Sequence, residues 1–215
     1  REAFPLIIEE FEKAGYIVSH QLLLAANFSV PQMRERVFIV GIRKDLGFTY
    51  PFQIKQPIQS PTDYVPLSKV LETEIDEKYY FSERAVQGML NSRTSKTMNK
   101  GRAQDITKPC NTVSSHLAKV SLNSTDPVLF ENNRYRRFTP REVARIQSFP
   151  ESYRLLGSQG AQYRMLGNAI PPVMMWYLAR DLFAMLRNLD KVPSNYQTTE
   201  SHPRFEQIDL FEESD

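Results

Sequence analysis

Apolar positions near the start of the chain change period twice. Phe4, Ile7, Ile8 and Phe11 recur at the spacing of one helical face, and Gly15 behind Ala14 is a C-terminal stop, so a helix is predicted to end there. Tyr16-Ile17-Val18 and then residues 21–26 read as a strand. Residues 27–35 are polar and contain Pro31, which predicts a loop. Arg36-Val37-Phe38-Ile39-Val40-Gly41-Ile42 is an apolar run rich in β-branched residues and reads as a buried strand. A helix, a strand, a loop and a strand cannot bury both faces of their own sheet, so this unit requires a larger sheet beside it.

The pattern then breaks. Pro51, Pro57, Pro61 and Pro66 forbid regular structure over residues 47–66 and suggest a domain-crossing linker. Residues 67–71 predict a helical turn, and Ser82-Glu83 opens a helix through Leu90. Residues 91–108 are polar and basic without apolar period, which predicts a loop. Thr112-Val113 and Val128-Leu129-Phe130 read as short strands. Thr139 as N-cap, Pro140 at the first helical position and Glu142 at the third make a capping box for a helix that Pro150 ends. A Gly167-Asn168 turn then precedes Pro171-Pro172 and a helix to about residue 189. Val173, Trp176, Tyr177, Ala179, Leu182, Phe183 and Leu186 give that helix an apolar face. Residues 191–215 are a polar, loosely held tail.

Composition narrows the classes. The chain has 215 residues, 41% hydrophobic and 24% charged, enough to bury a core. It has no apolar run long enough for a membrane span and no signal peptide at Arg1-Glu2-Ala3-Phe4. It also begins without Met, as though cut from something longer. One cysteine, Cys110, and three scattered histidines argue against a disulfide or a metal site and fit a reducing cytoplasm. The net charge of +2 is unevenly spread. Between Arg84 and Lys119 seven basic residues face the single acid Asp105, and Arg134, Arg136, Arg137, Arg141 and Arg145 follow. Two basic segments before an acidic tail suggest a polyanion at the centre of the chain, with a solvated basic surface as the plain alternative.

Candidate chemistry sits at the two ends. Alternate residues of an extended segment point the same way, so Gln32, Arg34 and Arg36 are expected to project together from a strand mouth. Guanidinium forks there suit a phosphate and a base edge, although the same residues also suit a basic loop closed by salt bridges. At the other end, a helix N-terminus behind Asn168 offers free N–H groups, while serving equally well as a plain helix start. Arg141 and Arg145, one turn apart, are expected to make internal ion pairs or touch phosphates.

With Pro31-Gln32-Met33-Arg34-Glu35-Arg36, Phe138-Thr139-Pro140-Arg141-Glu142 and Gly167-Asn168-Ala169-Ile170-Pro171-Pro172 in this order, the chain resembles the C-terminal half of the DNA (cytosine-5) methyltransferase family. In that family a helix ending in Gly-Tyr leads through a strand to a Pro-Gln-x-Arg-x-Arg loop and a Val-Phe-Ile-Val-Gly strand, which residues 11–42 reproduce. The resemblance implies an α/β fold: the C-terminal part of a Rossmann-like, S-adenosyl-L-methionine-dependent methyltransferase domain with an inserted, mostly β and irregular target recognition domain. The implied divisions are residues 1–46 for the end of the catalytic domain and 47–135 for target recognition. Residues 136–190 would brace the recognition region and return to the catalytic domain, and 191–215 would be the tail.

The resemblance also assigns roles. Arg36 would help hold a flipped cytosine, and Arg34 the neighbouring backbone and loop. Asn168 and Ala169 would close one side of the S-adenosyl-L-methionine site. Pro109-x-x-Thr112-Val113 matches the Thr-containing doublet of target recognition, and the candidate contacts to duplex DNA are Gln32, Arg93, Lys96, Lys100, Arg102, Thr112, Val113, Ser114, Ser115, His116 and Lys119. Cys110 is not the nucleophile, because in the family the Pro-Cys-Gln loop precedes the Gln-x-Arg-x-Arg segment and here Pro109-Cys110-Asn111 follows it. That loop, a Phe-x-Gly-x-Gly cofactor loop and a Glu-Asn-Val segment would lie before Arg1.

The reaction implied is flipping of a cytosine, thiolate attack at C6 and methyl transfer to C5 in a bacterial-type, cytoplasmic restriction-modification setting, with no membrane and no metal. The chain alone would be inactive and would need the missing N-terminal half, in the same or a separate polypeptide. In the latter case it would be the non-catalytic DNA-recognition subunit of a split enzyme. Replacing Lys100 and Arg102 together by alanine is expected to lower the salt dependence of DNA binding, because released counterions track phosphate contacts. An unchanged slope of affinity against salt removes that region from the interface.

Overall fold

The computed structural model describes residues 3–91, 103–119 and 126–187. The tail and most of the basic 91–108 segment lie outside them. Helix α1 (Ala3–Lys13) ends before Gly15, whose φ of +92° suits a residue without Cβ and turns the chain into β1 (Tyr16–Leu24). Strand β1 pairs antiparallel with β3 (Glu35–Arg43) over its whole length, from Tyr16↔Arg43 to Leu24↔Glu35. Between them lie a 3-10 turn, Ala25–Phe28, and the two-residue β2 (Gln32–Met33). Residues 25 and 26 thus leave the expected strand: the small alanines turn inward and are fully buried.

This sheet has two strands and two open edges. The expectation that residues 36–42 are a buried strand fails for that reason. Of β3 only Ile42 is buried, and the cross-strand pair Leu22↔Val37 is 55% and 54% exposed. One face is covered. Phe48 and Phe52 of the proline-rich segment pack on Ile42, with Leu182, Met185 and Leu186 beside them, so residues 48–52 are part of a core rather than a free linker. Helix α1 touches the other face through Phe4 on His20 and Phe11 on Tyr16.

Helix α2 (Glu83–Asn91) follows the proline-rich segment. The next strand is β4 (Cys110–Asn111), parallel to β2; it lies two residues before the Thr112-Val113 pair that the sequence suggests. The short hairpin β5 (Leu129–Glu131) and β6 (Arg134–Arg136) turns on Asn132 and Asn133, both at positive φ. Helix α3 (Pro140–Ile146) carries the expected capping box, Thr139 accepting from Glu142 N and Glu142 accepting from Thr139 N. Helix α4 (Gln159–Asn168) occupies the stretch expected to turn at Gly167-Asn168, and the turn itself is Ala169 to Pro171. Helix α5 (Pro172–Arg187) starts where Ser148, at φ +62°, accepts from Val173 N at 3.2 Å.

The largest buried cluster joins Leu67, Val70, Cys110, Val113, Leu117 and Leu129 to Phe138, Val143, Ile146, Tyr163 and Leu166, so α3 and α4 share a core with the middle of the chain. A second joins Leu23, Phe28 and Val30 to Val173, Met174, Tyr177 and Leu178. The core face of α5 therefore includes Met174 and Leu178, while Ala179 and Phe183, assigned to it from sequence, face outward.

A charged pair lies inside the first region. Arg136 is fully buried and grips Glu142, also fully buried, through two bonds of 2.7 and 2.8 Å. Glu131 binds the other side of the same guanidinium, and Glu142 also accepts from Glu72 N. Burial alone lowers the pKa of Arg136, and the two carboxylates more than reverse it, so the cation is locked in. Glu142→Ala removes a buried counter-ion and a helix cap together. It is expected to lower unfolding free energy by about 3–5 kcal/mol, the range for breaking a buried pair, as read from urea denaturation.

Candidate functional site

The Gln32-x-Arg34-x-Arg36 segment is a junction. Three backbone or side-chain bonds lash its start to residues 110–113: Cys110 N to Pro31 O at 2.9 Å, Thr112 Oγ1 to Met33 O at 2.9 Å, and Val113 N to Gln32 Oε1 at 2.9 Å. The other end of the Gln32 amide donates to Gln147 Oε1 at 3.0 Å, and Gln147 Nε2 donates to Leu166 O at 2.5 Å. Gln32 and Gln147 are both fully buried, and the bonds their amides make satisfy groups that would otherwise be desolvated at a cost.

Arg34 is only 5% exposed. Its Nη1 donates to Val113 O and its Nη2 to Gly167 O, both at 3.1 Å, and its Nε has no partner among the described residues. Burial, and after it the Arg36 charge, push its pKa down from the ordinary value. Two residues on, Arg36 is exposed and donates only to the carbonyl of Glu35. Among the described residues neither guanidinium meets a carboxylate, so the strand mouth carries uncompensated positive charge.

Helix α4 reaches this junction through Gly167. A Cβ there would lie 2.3 Å from the carbonyl carbon of Ser114 and from Ser115 N. Only glycine lets the helix end rest on that peptide. Asn168 is exposed and Ala169 half-buried, its N–H bonded to Leu166 O. The strand mouth, the 113–115 segment and the end of α4 therefore meet at one place, with Arg34 touching both of the other two.

The remaining candidates separate by exposure. Thr112 and His116 are exposed and Ser115 half-buried. Ser114 donates to Asp126 at 2.6 Å and accepts from His116 N. Gln32 and Val113 are fully buried and present no surface to a duplex in this conformation. Arg93, Lys96, Lys100, Arg102 and the side chain of Lys119 lie outside the described residues. Cys110 is fully buried in the largest apolar cluster, and burial, then Glu142, push its thiol up, the reverse of what a nucleophile needs.

Arg134, Arg137, Arg141 and Arg145 of the second basic cluster each have a partner within the chain. Arg134 pairs with Glu77 and lies over the Tyr80 ring. Arg137 donates to Ala118 O, and Arg141 to Pro150 O and Tyr153 O. Arg145 pairs with Glu151 and reaches Val70 O. Sequence reasoning missed Gln147 and Asp126, whose roles rest on distant partners with no local signature. Among the described residues no three His, Cys, Asp or Glu side chains gather as a metal site, and no helix is long and apolar enough to cross a membrane. A cavity of about 330 Å³ between β1 and residues 52–54 shares no lining residue with the junction.

Comparison with known proteins meets this geometry. The family model of the C-5 cytosine-specific DNA methylase matches residues 1–184. The chain is 29% identical to the type II methyltransferase M.DsaV of Dactylococcopsis salina over 208 residues, 95% of this chain and 56% of that protein. It is 30% identical to the type II methyltransferase M.FnuDI of Fusobacterium nucleatum over 216 residues, 89% of this chain and 62% of that one. The chain spans about half the length of the curated relatives it matches. Among solved structures, the S. pombe Dnmt2 methyltransferase superposes with a TM-score of 0.66 at 19% identity, covering 88% of this chain and 62% of its own. A putative DNA modification methyltransferase encoded within an E. coli prophage gives 0.65 at 17%, covering 87% and 66%. At these identities the likeness is one of fold, that of α/β methyltransferases.

Gly167→Ala tests the close approach. Alanine ordinarily favours a helix over glycine. Here its Cβ meets the Ser114-Ser115 backbone, and the variant is expected to lose about 1–3 kcal/mol of stability, the usual range for overpacking, by urea denaturation.

Proposed function

The chain belongs to the C-5 cytosine-specific DNA methylase family, and on that premise we propose that it is the C-terminal half of a DNA (cytosine-5) methyltransferase, acting on a cytosine flipped out of a specific duplex site. One observation carries the reading: Arg34 bonds at once to Val113 O, in the expected recognition segment, and to Gly167 O, beside the expected cofactor turn. A junction of that kind is what an enzyme needs if it reads DNA with one part and reacts with another.

The chain's own residues then divide the work. Arg36, exposed and without a carboxylate partner among the described residues, offers its fork to the flipped base and the adjoining phosphate. Flipping costs a few kcal/mol in unstacking, which contacts of this kind offset. Thr112, Ser115 and His116 lie on the exposed side of the recognition segment and would meet the duplex with the basic residues of the 91–102 stretch. The exposed carboxamide of Asn168 and the half-buried Ala169 fit one flank of S-adenosyl-L-methionine, which when bound supplies the methyl group.

Cys110, buried with a raised thiol pKa, supports a nucleophile supplied from elsewhere in the enzyme, as do the main cofactor loop and the acid that protonates the base. The outward apolar side chains Leu22 and Val37 on the open sheet, and Met175 and Phe183 on α5, support further sheet and helices from an N-terminal half packing there. The setting of such an enzyme is a bacterial cytoplasm.

The test is transfer of labelled methyl from S-adenosyl-L-methionine to duplex DNA. The chain alone is expected to transfer none, and the complete gene product to label cytosine. Turnover by the chain alone, or no cytosine labelled by the complete product, overturns the reading.

A further inference from the structure

We propose that Gln32 and Arg34 are positioning residues for DNA-site selection: they hold the two peptides that flank Val113 and so aim the Thr112–His116 segment relative to Arg36, without touching DNA. This rests on the proposed function only in taking DNA as the ligand.

The backbone of Val113 is held through both of the peptides that flank it. Its N–H is taken by Gln32 and its C=O by Arg34, two side chains that leave the same short segment two residues apart. Each holder is itself anchored at its far end on the other side. Gln32 leans on Gln147, which is tied to Leu166 O, and Arg34 on Gly167 O. Two chains of hydrogen bonds thus run in parallel from the Val113 backbone to successive carbonyls at the end of α4. The side chain of Val113 is packed in the core, so the backbone there cannot rotate without breaking bonds and packing together.

The groups that face solvent hang from this fixed backbone. Thr112 precedes it, and the Ser114 hydroxyl, bonded to Asp126 and to His116 N, shapes the turn that follows. Arg36 opens β3 two residues past Arg34, while Gln32 lies in β2 just before it. Gln32 and Arg34, with the β2–β4 pairing and the bond from Thr112 Oγ1 to Met33 O, therefore set the distance and angle between the two exposed sets. A site that reads a base sequence and a reacting base together needs such placement within about 0.5 Å. Buried, neither holder has surface with which to read DNA directly.

The test uses the complete gene product as wild type, Arg34→Lys and Gln32→Met. Amide hydrogen exchange is followed at residues 112–116, affinity is measured for random duplex, and the ratio of binding at the preferred site to the next-best site is taken from a randomised duplex pool. In Arg34→Lys, exchange at residues 112–116 is expected to quicken by about tenfold, the loss of one charge-assisted bond, and the site ratio to fall by about tenfold. Affinity for random duplex is expected to stay within about twofold, since no phosphate contact is lost. Gln32→Met, which removes only neutral bonds, gives the same pattern more weakly and decides the matter if Arg34→Lys does not fold. Unchanged exchange, quickened exchange with an intact site ratio, or a wild type without a preferred site each overturns the proposal. A wild type that selects a site but methylates no cytosine overturns the proposed reaction alone, because the binding ratio still reads the positioning.

Discussion

The structure hangs on a buried cation, Arg34, that no carboxylate among the described residues neutralises. Arg34 is accommodated because the ends of two carbonyl dipoles, Val113 O and Gly167 O, converge on its fork from different parts of the chain. Desolvating a guanidinium is expensive, and neutral carbonyls return only part of that expense. The arrangement persists because the partners are over-determined: Gly167 lies against the Ser114 peptide, Val113 is packed in the core, and Gln32 with Gln147 brace the same carbonyl end. Removing any one piece leaves the others with unmatched polar groups.

Other arginines serve a different economy of charge. Arg136 sits deeper still, yet it is matched by Glu142 and Glu131, so its charge is absorbed within the fold. Arg134 and Arg145 likewise have acid partners. Among the described residues positive charge is cancelled at Arg134, Arg136 and Arg145, whereas Arg34 and Arg36 at the strand mouth, like Arg137 and Arg141, bond only to backbone carbonyls.

What was legible in the sequence was what local chemistry decides. Thr139, Pro140 and Glu142 specify a helix start within four residues, and the capping box is there. The period of Phe4 to Phe11 and the stop at Gly15 gave α1, and the β-branched run at 36–42 gave the body of β3. The extent of burial was not legible, because it depends on how many strands lie alongside. Nor was the fate of Gln32, whose partners are 81 and 115 residues away in sequence. Helix α4 was obscured by its own function. Its Gly167 looks like a turn residue in sequence, whereas it is there to let two backbones touch. For the second basic cluster the ion pair of Arg145 was among the expectations, whereas the identity of its acids, Glu77 and Glu151, and of its carbonyl partners is set by tertiary packing.

Ser148 shows how narrow the choice of residue becomes where two requirements coincide. Its backbone occupies the left-handed region, which penalises branched or bulky side chains, and its hydroxyl must reach Val173 N to start α5. Glycine would satisfy the backbone and forfeit the acceptor, while threonine would supply the acceptor and resist the backbone. Asparagine and aspartate meet both demands in principle, but their extra atoms must find room in a site where serine is already almost fully enclosed. The seam between the two largest cores is thus closed by a residue with scarcely an acceptable substitute, and drift in the surrounding sequence has to proceed around it.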